Sequence, residues 1–246
     1  MSHPVYNLHN HTPFSDGAYT IDELVEAHLS CETINFDGIG ISDNLFRTPS
    51  SREITDARDF EKAFARETRN YVDTVHAARR RWASKINIFC GCEINWPLNK
   101  GHLDTIRGIL NGIDYVLFEF IDWAGLTQLA NQARRWPVPV GLSHTDVARS
   151  FPSTSMDQVV RTMANARIFY EANVGMAPMS DHDSWFSIVP NHRVHVSLGT
   201  DTHDDLRCIN HVAALVDYVD GKGLAEKHFI PAPRSEPAPV PAPART

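Results

Sequence analysis

Leu8-His9-Asn10-His11-Thr12-Pro13-Phe14-Ser15-Asp16-Gly17 follows a short apolar run, Val5-Tyr6-Asn7-Leu8, that reads as a first strand. Side chains alternate faces along a strand, so two histidines at i and i+2 point the same way. Imidazole is the commonest metal ligand of proteins near neutral pH, and an oriented pair at a strand end is half of a metal site. Asp16 lies in a turn-forming Ser-Asp-Gly, free to fold back over the same spot. Taken alone, the pair reads equally well as two solvated loop histidines. The positions of the other candidate ligands therefore decide.

Those positions emerge from the pattern that follows. Thr20-Ile21-Asp22-Glu23 is a capping box that opens a helix, with Ile21, Leu24, Val25, Ala27 and Leu29 at helical spacing. His28 on this helix reads as a surface or packing histidine. A second strand, Phe36 to Asp43, ends in Asp43-Asn44, and a long amphipathic helix marked by Ile54, Phe60, Phe64, Tyr71 and Val75 comes next. The third strand, Ile86 to Asn95, places Ile88, Cys90 and Cys92 on one face and Phe89, Gly91 and Glu93 on the other. Further strands are Asp114–Phe120, Val138–His144, Arg167–Val174 and Val194–Asp201. Helical segments separate them, one capped near Asp122 and another opening at Ser155.

Seven strands alternating with helices imply parallel pairing through crossover helices, and at 246 residues a closed α/β barrel is the economical arrangement. His9, His11, Asp43, Asn44, Glu93, Glu119, His144, Asp201 and His203 all fall at or just past the C-terminal ends of their strands. That rim is where such barrels build active sites. Mixed nitrogen and oxygen donors favour Zn²⁺, Mn²⁺ or Fe over Ca²⁺ or a thiolate site. A carboxylate such as Glu93 suits a bridge between two ions.

Composition narrows the rest. The net charge of −7, with both signs mixed along the chain, gives no support for a nucleic-acid surface. Arg79-Arg80-Arg81 and Arg134-Arg135 read as solvated helix faces. Four cysteines without framework spacing and no apolar run of membrane-span length point to a cytoplasmic protein without a membrane partner. From Pro231 to Thr246 the Pro/Ala-rich sequence is expected to be a disordered tail, leaving residues 1–230 as the barrel domain.

His9-x-His11-Thr12 with Ser15-Asp16-Gly17, Gly91-x-Glu93, Gly141-Leu142-Ser143-His144 and Thr200-Asp201-Thr202-His203 resemble the successive motifs of the PHP (polymerase and histidinol phosphatase) family. The resemblance implies a distorted (β/α)7 barrel with two or three divalent ions (Mn, Fe or Zn) at its C-terminal rim, acting on a small phosphorylated substrate. It also implies a division of ligands. His9, His11, Glu93 and Asp201 would hold one metal, Glu93 and His144 a second with one further ligand, and Asp16 and His203 would contribute to a third. A hydroxide between the first two metals would attack phosphorus while the third helps bind the phosphate and stabilise the leaving oxygen. Asp201 and His203 are the candidate catalytic residues, and the group that protonates that oxygen is not assigned, His203 being the candidate. Arg149 falls in a segment similar to that of histidinol phosphatases. Arg47 and Lys100 lie in other rim loops, and all three are candidate phosphate contacts.

Two positions depart from the family pattern. Asn44 stands where a histidine is usual, and its carbonyl suits Mn²⁺ or Mg²⁺ better than Zn²⁺. Ile121 stands where the fourth strand usually ends in a liganding histidine. By alternation Glu119 shares the face of Ile121, about one pleat (roughly 6–7 Å) deeper, and would supply a carboxylate instead; Asp122 is a weaker candidate. Two other functions fit parts of the pattern. A catalytically degenerate barrel would bind a ligand or partner without turnover. An amidohydrolase-like C–N hydrolase would need a lysine on the fourth strand, and Asp114–Phe120 has none. The segment from Met176 to Arg193, with Trp185 and Phe186, reads as a pocket wall or lid.

Overall fold

Each strand register follows from burial on both sides: parallel strands in a barrel face a packed interior on one side and a helix layer on the other, so their side chains are apolar almost throughout. A computed structural model describes residues 3–46 and 57–234. The strands are β1 (Tyr6–Asn7), β2 (Gly38–Ile41), β3 (Asn44–Leu45), β4 (Asn87–Asn95), β5 (Tyr115–Glu119), β6 (Val140–Leu142), β7 (Phe169–Asn173) and β8 (Val196–Gly199). β1 pairs with β2 and β8, β2 with β4, and β4 through β8 with their neighbours, all in parallel. This closes a seven-stranded barrel. β3 is a two-residue continuation of the second strand, paired to the end of β4.

Two apolar layers follow from the period of two. Leu8, Phe89, Tyr115, Leu117 and Phe169 fill the barrel interior. The opposite faces, including Ile88, Cys90, Cys92, Val116 and Phe118, pack outward against the helices. The cysteines of β4 are thus buried packing residues, and burial pushes both thiols up. The helices are α1 (Ile21–Leu29), α2 (Ala57–Trp82), α3 (Trp96–Asn99), α4 (Leu103–Ile109), α5 (Trp123–Gln132), α6 (Val147–Ser150), α7 (Met156–Ala166), α8 (Asp183–Phe186) and α9 (Val212–Gly221). Thr20 and Glu23 form the reciprocal capping box that the sequence spells out. Among the described residues no helix is long and apolar enough to cross a membrane.

The structure corrects four local expectations. Trp185 and Phe186 are fully buried against Tyr170 in the outer core and form no lid. Arg79 does not lie on a solvated face: its guanidinium reaches Asp114, and its Nε donates to the Ile88 carbonyl at 2.7 Å. Pro231 is buried, and the Arg234 N–H donates to Asp114 at 2.6 Å, so the chain stays attached to the barrel through residue 234. The rest of the expected tail, residues 235–246, lies outside the described residues. Ile121 and Glu119 do not share a face. Phe120 between them adopts a left-handed backbone, φ 54°, which breaks the alternation and turns Ile121 outward against Gly125 of α5.

Candidate metal centre

The rim site is built on strand ends. β1 delivers His9 and His11 with their Nε2 atoms 2.9 Å apart. β4 delivers Glu93, whose oxygens lie 3.6 Å from His9 Nε2 and 3.7 Å from His11 Nε2. The turn after β8 delivers Asp201, with Oδ1 at 3.3 Å from His9 Nε2 and 3.0 Å from His11 Nε2. His144 follows β6 and sets Nε2 at 3.2 Å from Glu93 Oε1. His144 and Asp201 both have positive φ, 27° and 50°, strain of the kind that concentrates at functional sites.

These donors fall into three groups, each with its ligand atoms within 4.8 Å of one another: His9, His11, Glu93 and Asp201; Glu93, Glu119 and His144; and His11, Asp16 and His203. Glu93 belongs to two of them, which is the position of a bridging carboxylate. Glu119 joins the second group because Phe120, not Glu119, absorbs the change of direction at the end of β5. Its carboxylate also accepts from Asn95 Nδ2 at 3.0 Å. Asp122 instead caps α5, accepting from the Gly125 N–H at 2.7 Å.

The arrangement fits cations. Oδ1 of Asp201 is buried without a hydrogen-bond partner despite its short contacts to the histidines. His9 and His11 aim two ring nitrogens at each other and at three carboxylate oxygens. His9 Nδ1 lies 2.8 Å from Glu171 Oε1, so one N–H is held there and Nε2 is the nitrogen that faces the cluster and would ligate once deprotonated, the usual support for a metal-bound histidine. Glu171 also accepts the His144 backbone N–H at 2.6 Å. Gly199 leaves room for this carboxylate, since a Cβ there would collide with Glu171 and with His9.

Glu171 is the functional residue that sequence spacing missed. Its only signal is a carboxylate at an inward position of a barrel strand, between Phe169 and Asn173. Asp43 is a second supporting carboxylate. It accepts from the Thr12 N–H and hydroxyl, both at 2.7 Å, and from the Ser15 hydroxyl at 2.6 Å, which pins the turn carrying Asp16. Asn44 is buried beside the third group, with its amide nitrogen 3.3 Å from Asp16 Oδ1 and 3.4 Å from His11 Nδ1. As placed it donates to Asp16 rather than offering its oxygen. His28 is a packing residue, Nδ1 at 2.7 Å from the Leu24 carbonyl and Nε2 at 2.8 Å from Asn7, and burial lowers its pKa to about 4.

Of the three candidate phosphate contacts, the two within the described residues are exposed side chains. Arg149 is exposed on α6. Lys100 is exposed and lines a shallow groove with Asp104, Thr105 and Gln128, apart from the metal groups. Arg47 lies outside the described residues. The rim instead presents Phe120, 62% exposed, with its ring centroid 6.4 Å from that of His144.

Electrostatics reinforce the donor set. Burial opposes charge on His144, but the Glu93 hydrogen bond and Glu171 hold its pKa at about 9. Burial likewise opposes charge on His9, and Glu171, Glu93 and Asp201 override it and raise its pKa well above the ordinary value. Glu93 and Asp201 are lowered, because the neighbouring histidines outweigh the burial cost. A histidine with a raised pKa is charged below that value, so at pH 7 the protein alone keeps protons on His9 and His144. A divalent ion must expel them. Zinc binding at pH 7 is therefore expected to release protons and to tighten as pH rises from 6 to 9. Calorimetry in buffers of different ionisation enthalpy measures this directly; binding without proton release across that range would overturn the assignment of these histidines as ligands.

The PHP domain family profile matches residues 7–181. No curated relative matches the chain. A histidinol phosphate phosphatase from Lactococcus lactis subsp. lactis Il1403, solved with zinc, L-histidinol and phosphate, superposes with TM-score 0.58 at 14% identity, over 87% of this chain and 93% of that one. An adenine deaminase from Arthrobacter aurescens reaches TM-score 0.40 at 16% identity, over 80% of this chain and 65% of that one. Profile, barrel closure and strand-end motifs agree, and the chain belongs to the PHP domain family.

Proposed function

We propose that the protein is a metal-dependent hydrolase of small phosphate monoesters. The observation that carries this reading is the sharing of Glu93 between two donor groups around the partnerless Asp201 Oδ1. Bound divalent ions supply the charge that polarises a phosphoryl oxygen and acidifies water. The chain's own part is to hold the donors still. Glu171 orients His9, Asp43 fixes the Asp16 turn, and the Ser143 hydroxyl donates to Glu93.

Asp16, His203, Asp201 and His144 are the partly exposed donors, 45%, 33%, 31% and 25% by side chain, so substrate reaches the cluster from their side. His203 Nδ1 lies 2.9 Å from the Asp201 carbonyl and is spent there. Only Nε2 remains, and it serves either as a ligand of the third group or as the proton donor to the leaving oxygen, not both. Arg149 and Lys100, both exposed, enter this reading as candidate contacts for the far end of a substrate. The family and the zinc-, histidinol- and phosphate-bound relative support a phosphoester substrate.

The test is metal content per chain, by elemental analysis, followed by turnover of a phosphomonoester panel. Two or three equivalents of Mn, Fe or Zn and metal-dependent phosphate release are expected. Loss of one equivalent in His203→Ala would assign His203 as a ligand of the third group; an unchanged metal content in that variant would leave it as the donor. Filled sites without turnover of any member would overturn the hydrolase and favour a binding barrel.

A further inference from the structure

At the end of the barrel opposite the rim, three separate segments bring His3, Asp220 and His228 together. His3 precedes β1, Asp220 lies in the last turn of α9, and His228 bridges to Val196 at the start of β8. His3 Nε2 is 2.8 Å from Asp220 Oδ2, and His228 Nε2 is 3.0 Å from Oδ1. The two rings stand 4.2 Å apart. Side-chain exposures of 15%, 25% and 6% leave one side of the group open to water.

A hydrogen-bonded tie between histidines and a carboxylate is the plain account, and two features go beyond it. Asp220 occupies the C-terminal turn of a helix, where the partial negative charge of the free carbonyls disfavours a carboxylate. Among the described residues no lysine or arginine pairs with it; only the two imidazoles do. A bound cation would offset that charge. Second, both histidines present Nε2. His3 Nδ1 faces the Pro4 carbonyl at 3.4 Å, an acceptor that would hold its N–H when Nε2 ligates.

We propose that His3, Asp220 and His228 form a second divalent-metal site, remote from the rim, whose two imidazoles and one carboxylate suit Zn²⁺ with a water completing the shell. A tetrahedral ion with bonds of about 2.0–2.2 Å spaces its ligands roughly 3.3–3.6 Å apart. The contacts of 2.8 and 3.0 Å run to the two oxygens of one carboxylate, and one ligand atom from each residue lies within 4.8 Å of the others, so side-chain rotation on an open surface would bring them to that spacing. The ion would clip the start of the chain, the last helix and the strand edge together. It would stabilise the folded state by mass action.

Co²⁺ titration of metal-stripped full-length protein without an affinity tag, read by visible absorption, tests the site. Asp220→Asn keeps the hydrogen-bonding shape and loses the charge. His3→Ala alters a residue outside every strand and helix. Each is expected to bind one equivalent fewer than the wild type and to gain less thermal stability from added zinc. Phosphomonoester turnover should be unchanged in both. An undiminished stoichiometry in either variant overturns the proposal, because a three-ligand site cannot lose a ligand without losing affinity.

Discussion

Glu93→Gln is expected to cost two bound metal equivalents and to lower phosphomonoester turnover on the order of a thousandfold, the scale of removing one preorganised electrostatic element from a buried site. Its carboxylate faces His9 and His11 on one side and His144 on the other, at 3.2–3.7 Å. Among the described residues Glu93 is the carboxylate common to both groups; Asp201 Oδ2 also lies 3.9 Å from His144 Nε2 but does not group with Glu119. Glutamine keeps the volume and one acceptor oxygen, so the buried hydroxyl of Ser143 retains its partner. What is lost is the negative charge that offsets two cations. His203→Ala is the informative control, because it touches only the third group and should cost at most one equivalent. Elemental analysis and turnover of the two variants side by side decide the matter. Equal losses in both would show that Glu93 does not bridge.

The barrel and most of its rim were legible because parallel strands buried on both faces leave a strong apolar signature, and charged residues at their ends stand out against it. His9, His11, Glu93, His144 and Asp201 stand out by that contrast, and the PHP-like motifs supply their grouping as ligands. The errors have specific physical sources. Strand alternation paired Glu119 with Ile121, and a single left-handed residue, Phe120, defeats it; an aromatic there carries no sequence mark of positive φ, as glycine or asparagine would. Trp185 and Phe186 sit in an irregular segment, and irregularity suggested exposure, yet short helical turns carry both rings into the core. Arg79 looked solvated as one of three consecutive arginines, but its helical position aims it at the start of β5.

Glu171 shows most clearly what spacing cannot reveal, and its replacement by alanine should weaken rim metal binding about 10–100-fold. Its role runs through other residues. One oxygen takes the His9 Nδ1 proton at 2.8 Å and the other takes the His144 N–H at 2.6 Å, so it fixes one ligand's tautomer and the other's backbone. Alanine strips both acceptors and leaves a buried N–H unsatisfied, at a cost of about 1–3 kcal/mol in stability. It also removes the largest of the influences holding the His9 pKa up against burial. That pKa should fall, so protons compete with metal only at lower pH, and the midpoint of metal binding moves toward acid even as the affinity at high pH declines. A purely structural loss would weaken binding without moving the midpoint. Because every ligand is still present, excess metal should restore much of the turnover, whereas excess metal cannot rescue Glu93→Gln. Chelator-competition titrations from pH 5.5 to 9, with turnover at saturating metal, separate the two behaviours; unchanged affinity in Glu171→Ala would remove this carboxylate from the site.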